Sequence, residues 1–138
     1  MSCRVSNFST FRFYLSTRKM EQYFEGLKNI AITVCDEEGN ILDMNQHSAD
    51  VNSHGKKIVG YNLMNCHPEP AKTKLKGLLE HQQLNAYTIE KTLADGSKVK
   101  KLIYQTPWYK QDGAFGGLIE YSVEIPFEMP HFVRQPKQ

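Results

Sequence analysis

Two Asp-Gly turns constrain this chain more than any other feature. Ala94-Asp95-Gly96-Ser97 and Lys110-Gln111-Asp112-Gly113 cut its last third into three β-rich runs, Ala86–Leu93, Lys98–Tyr109 and Ala114–Ile125. Asp-Gly pairs between apolar runs favour tight turns, because Gly accepts the left-handed backbone such turns demand. In the final run Phe115, Gly117, Ile119, Tyr121, Val123 and Ile125 alternate with Gly116, Leu118, Glu120, Ser122 and Glu124. Alternation of period two predicts a strand with one buried face and one mostly wet face.

Upstream, Met20, Tyr23, Phe24 and Leu27 stand at helical spacing and predict a short amphipathic helix. Ile30–Cys35 and Ile41–Met44 are β-rich, and Asp36-Glu37-Glu38-Gly39-Asn40 between them makes a hairpin. Asn45 can cap a helix beginning just after it, since its side chain can bond free helix amides. Residues 45–63 are polar, with Gly55 and Gly60 as breaks, and suit short helices and loops. Pro68 and Pro70 precede Ala71–His81, where Leu75, Leu78 and Leu79 share one face. Proline suits a helix start because its missing N–H has no partner to lose there. The order helix, two strands, helices, three strands predicts an α+β fold: a five-stranded antiparallel sheet with helices packed over one face.

Length and charge narrow the function classes. The 138 residues fit one domain. The apolar share of 40% supplies a core, and the mean hydropathy of −0.53 is that of a globular chain. No stretch approaches the ~20 apolar residues that span a bilayer, so no membrane partner is expected. With 17 basic and 15 acidic side chains the net charge is only +2, which argues against a nucleic-acid partner. Cys3, Cys35 and Cys66 form no CxxC pair, so neither a disulfide framework nor a cysteine-built zinc site is expected. A reducing cytoplasm fits them.

Residues 1–19 differ from the rest, carrying Arg4, Arg12, Arg18 and Lys19 and no acidic residue. They read as an extension: an upstream start with Met20 as the natural one, a docking segment, or a targeting sequence. Alternating Phe11, Phe13 and Leu15 would suit a short strand. Residues 20–125 read as the domain. Residues 126–138 hold three prolines without periodicity and read as an extended tail or linker.

Three signatures occur in one order: the hairpin Val34-Cys-Asp-Glu-Glu-Gly-Asn-Ile41, the segment Ile58-Val-Gly60-Tyr-Asn62, and the turns Asp95-Gly96-Ser97 and Asp112-Gly113, with Thr106-Pro107 between them. In this arrangement the chain resembles a PAS domain from about Met20 to Ile125. Asn65-Cys66-His67-Pro68, followed by Leu75, Leu78 and Leu79, further resembles a subgroup of prokaryotic PAS sensor domains. The resemblance implies a sensor or relay rather than an enzyme, of the kind found in kinases, cyclases and transcription regulators. It implies signal transduction through a homodimer or a signalling-protein partner, and a small-molecule ligand between helices and sheet. Some relatives hold haem or flavin and others nothing known, so the cofactor stays unnamed. A ligand-free adaptor or dimerisation module is the alternative.

Flavin photochemistry in such domains uses a Gly-x-Asn-Cys-Arg motif, whereas here Cys66 follows Asn62 by four residues. Comparison with oxygen-sensing PAS domains places Leu75 where their haem histidine stands, leaving His67 or His81 for any other ligation. Cys66 and His67, ahead of a proline-started helix, suggest a redox thiolate at a positive helix end, set against a packed cysteine beside a hydrogen-bonded histidine. No metal site is expected, since His47 and His54 would approach only through the fold. No nucleophile elbow or phosphate loop is present. The expected pocket residues are Leu63, Met64, Cys66, His67, Leu75, Leu79, Tyr104 and Tyr121.

Overall fold

The computed structural model describes residues 21–137. The expectations for residues 1–19, and for Met20 as the start of a helix, lie outside the described residues. Residues 21–25 are the described part of a first helix, α1. Next come β1 (Ile30–Asp36), β2 (Ile41–Met44), α2 (Gln46–Asn52) and a 3-10 turn (Leu63–Asn65). Helix α3 (Ala71–His81) leads into β3 (Asn85–Thr92), β4 (Lys98–Tyr109) and β5 (Phe115–Ile125). Residues 126–137 hold neither helix nor strand.

The sheet runs β2-β1-β5-β4-β3 with every neighbouring pair antiparallel. This is the predicted α+β arrangement. First and last strands meet in its interior, so the helical middle of the chain must cross from the edge strand β2 to the opposite edge strand β3. That crossing lays the helices over one face. Leu75, Leu78 and Leu79 of α3 form one core cluster with Cys35 and Leu118 from the two inner strands. Ile41, Met44 and Ala49 form a second, and Leu63 packs against both.

The hairpin turn is built by one carboxylate. Asp36 Oδ1 accepts from the backbone N–H groups of Glu38 and Asn40, both at 2.9 Å, and Oδ2 accepts from the Asn40 amide. Burial pushes the Asp36 pKa up, but the hydrogen bonds from Asn40, Glu38 and Gly39 outweigh it and hold the carboxyl below its ordinary value.

At the β1–β5 seam the backbones approach closely. A Cβ on Gly117 would run into the Cys35 carbonyl oxygen, and one on Gly116 into the Trp108 ring. Gly117 also has φ +144°, so a side chain would be strained there as well as crowded. The Trp108 indole N–H donates to the Cys35 carbonyl at 3.0 Å. Trp108 is thus a strap on the seam.

One expectation is corrected. The more apolar set of β5, Ile119, Tyr121, Val123 and Ile125, is half-buried, and its opposite set carries the core residue Leu118. Tyr121 is the cross-strand partner of Tyr104 and of Ile32, and Val123 that of Leu102. Both sheet faces are therefore apolar, and apolar content alone misidentifies the inner one.

Asn45 joins three elements through four hydrogen bonds. Its Oδ1 accepts from Ser48 N at 3.0 Å, capping α2, and from Ile32 N at 2.9 Å on β1. Its Nδ2 donates to the carbonyls of Ile30, at 2.9 Å, and of Phe24 in α1, at 3.0 Å. The residue is 4% exposed, so these bonds replace water entirely. Asp caps helices as well as Asn does. Yet Asn45→Asp would aim a carboxylate at two carbonyls, and the variant is expected to lose about 2 kcal/mol or more in urea unfolding. An unchanged midpoint would show that Asn45 only caps α2.

Candidate functional site

The inner face of the sheet and the helical layer enclose a cavity of about 670 Å³. β1 contributes Thr33 and Cys35, and β5 contributes Leu118 and Glu120. β4 adds Ile103 and Gln105, and β3 adds Asn85, Tyr87 and Ile89. Each of these four strands thus presents residues spaced by two, as a single pleated face must, and β2 adds Ile41 and Met44 at its two ends.

The other wall comes from the 3-10 turn and α3. Asn62 holds the turn: its Oδ1 accepts from Met64 N at 2.8 Å, while its Nδ2 donates to the Glu38 carbonyl and the Asn40 side chain, both at 2.9 Å. Ahead of it, Gly60 N donates to Ile41 O and Ile41 N to Tyr61 O, both at 2.8 Å. The Ile58-Val-Gly60-Tyr-Asn62 segment is therefore pinned to the β1–β2 hairpin. Residues 63–67 continue directly from that anchor.

Of the expected pocket residues, Leu63, Cys66, His67 and Leu75 line the cavity. Met64 and Leu79 pack instead into the core beside Cys35, both lying near Gly39 of the hairpin turn. Tyr104 and Tyr121 are corrected outright. They pair with each other across β4 and β5, one residue out of step with Ile103 and Glu120, and so project from the opposite face.

The Cys66–His67 expectation is corrected in part. Helix α3 begins at Ala71, and Cys66 instead closes the 3-10 turn, donating its backbone N–H to Leu63 O. Neither residue sits at a helix N-terminus, because the Pro68-Glu69-Pro70 segment lies between. His67 Nδ1 lies 2.8 Å from the Leu63 carbonyl. A carbonyl only accepts, so Nδ1 carries a proton and Nε2 is the nitrogen left free. Leu75, at the position of interest for haem, is an apolar wall that is 7% exposed. Among the described residues no group of three or more His, Cys, Asp or Glu side chains is placed to hold a metal ion.

Several lining residues escape a reading of the sequence. Cys35 is 2% exposed. Burial pushes its thiol above the ordinary pKa, the Leu118 backbone hydrogen bond opposes this, and the charges of Asp36 and Glu120 add to it. Opposite it runs a polar ladder: Asn85 Nδ2 donates to Gln105 Oε1, and Gln105 Nε2 donates to Glu120 Oε2, both at 2.8 Å. The Tyr87 phenol is raised too, first by burial and then by the Glu120 charge. Strand parity is the only sequence signal for these residues, and it becomes readable once the register is known.

No family model matches the chain, and no curated protein does. Among solved structures it is similar to the PAS domain of a protein from Colwellia psychrerythraea, at 20% identity and TM-score 0.54 over 79% of this chain and 96% of that one. It is similar to the PAS domain of an HTR-like protein from Haloarcula marismortui, at 16% identity and TM-score 0.58 over 86% of this chain and 99% of that one. The PAS domain of BvgS from Bordetella pertussis gives 20% identity and TM-score 0.55 over 80% and 87%. The fold of this chain is the PAS fold.

The two described thiols should differ sharply in reactivity. In a Cys3→Ser background, iodoacetamide at pH 8 is expected to modify the exposed Cys66 and spare Cys35, with both reacting in denaturant. Equal labelling rates in the folded protein would contradict the buried, raised thiol.

Proposed function

We propose that this chain is a sensory domain of the PAS type, binding a small molecule in the cavity between α3, the 3-10 turn and the inner sheet face. The observation that carries the reading is the 670 Å³ cavity, which falls in the size range of small-molecule sites. Its lining combines apolar walls, such as Leu75 and Ile103, with convergent polar groups from three strands. Such a lining orients a ligand as well as burying it. Binding rather than catalysis is the reading favoured by the Cys35 thiol, which is buried and has a raised pKa, and by His67 Nδ1, which is engaged with a carbonyl.

Signalling then rests on differential affinity. A ligand touching both Leu63 and the sheet changes the balance between arrangements of the helical layer. Because the hairpin anchors that layer, and Asn45 ties β1 and α2 to the Phe24 carbonyl, the altered strain reaches the N-terminal helix. An adaptor reading also has an observation in its favour. The outer sheet face carries Ile32, Leu102, Tyr104, Ile119, Tyr121 and Val123 partly open to solvent, a surface suited to homodimerisation or to a signalling partner. No helix among the described residues is long and apolar enough to cross a membrane, and a cytoplasmic setting agrees with the free thiols Cys35 and Cys66.

One experiment tests both halves. Native mass spectrometry of freshly purified protein, with its absorption spectrum, should report a bound small-molecule mass on a dimer. Ile103→Trp, which fills the cavity, should lose that mass and keep the dimer. A ligand-free monomer would refute the proposal, and a bound mass retained in Ile103→Trp would move the ligand elsewhere.

A further inference from the structure

The polar ladder on the inner face is directional, and its direction selects a class of ligand. Asn85 donates to Gln105, and Gln105 donates to Glu120, so both amide dipoles are aligned toward one carboxylate. Only Oε2 of that carboxylate is used: among the described residues no protein group donates to Oε1. Thr33, the cross-strand neighbour of Glu120 on β1, has its hydroxyl 2.6 Å from Ser48 Oγ on α2, so it is engaged with the helical layer instead. Glu120 is half-buried and lines the cavity, with a lone-pair face that asks for a donor.

Among the described residues no positive protein group forms an ion pair with Glu120. Lys74 is an exposed residue of the cavity rim. Lys101 is buried on the same sheet face, but it pairs with Ile89 and Glu124, four residues along β4 from the Gln105 that bonds Glu120, and does not line the cavity. Cys35 and Tyr87, both raised first by burial, lie on the strands to either side of this carboxylate, whose charge adds to each shift. The cavity is thus acidic at its sheet wall, while its helical wall is mostly apolar, through Leu63, Leu75 and Leu78, with His67 and Lys74 beside them.

Resting on the ligand-binding role of this cavity, we propose that it takes a compact, largely apolar molecule with a cationic or N–H-donating head, such as an amidine, amine or N–H heterocycle. The head bonds Glu120 Oε1, and the body lies against Leu75, Ile103 and Leu118. A carboxylate partly shielded from water bonds charged donors more strongly than neutral ones, and it repels anions of the same shape. Gln105 contributes by holding Glu120 in place, which makes it a positioning residue.

Three isosteric probes separate the possibilities: benzamidine, benzamide and benzoate, titrated against the whole chain by NMR. Benzamidine is expected to bind about tenfold or more tighter than benzoate, with benzamide between them. In Glu120→Gln that ranking should collapse to within about twofold while benzamide binding persists. The wild-type ranking stands as a test even where the variant folds poorly. Benzoate binding as tightly as benzamidine would overturn the proposed ligand class and leave the cavity reading intact. A ranking unchanged in Glu120→Gln would overturn the assignment of Glu120. Failure of all three probes to perturb cavity resonances would count against the ligand class and the binding reading together.

Discussion

The placement of α1, β1 and α2 against one another rests on the side chain of Asn45. A four-residue strand and a seven-residue helix are too short to hold their own geometry. Asn45 sits between them and satisfies backbone groups of α2, β1 and the end of α1 at once. Its two ends have opposite character, acceptor toward the N–H groups and donor toward the carbonyls. Only an amide serves both. The sequence shows a cap at this position, but the other three bonds reach 13, 15 and 21 residues away and leave no local trace.

A second constraint sets which groups can face a ligand. β1 and β5 come together where Gly117 lets the backbones touch and Trp108 straps the seam. Their register puts Thr33 beside Glu120 and Cys35 beside Leu118, and β4 then brings Gln105 level with Glu120. Asn85 joins from β3. The ladder is therefore a product of three registers rather than of any motif. Shifting one strand by a residue would send its member to the opposite face.

The legible and illegible parts of the sequence divide along this line. Asp-Gly turns, the Asp36–Asn40 hairpin and the leucine face of α3 are local, and they yield the element order and hence the α+β fold. Helix α3 spans Ala71–His81 as the spacing predicts. The face of β5 misleads because Ile119, Tyr121 and Val123 look like core but form a half-covered outer surface. Tyr104 and Tyr121 follow that error out of the cavity. Met64 and Leu79 are apolar and inward as expected, yet the hairpin turn rather than the cavity receives them. Pro68 and Pro70 delay the helix start, which removes Cys66 and His67 from its N-terminus.

On the proposed reading, a small molecule meets the inner face of this sheet, beneath the helical layer, and not the apolar outer face. Methyl-resolved NMR during a benzamidine titration tests that choice of face directly. The methyl groups of Leu75, Ile103 and Leu118 should shift, while those of Ile32, Ile119 and Val123 stay in place. Shifts confined to the outer set, or equal on both faces, would contradict it.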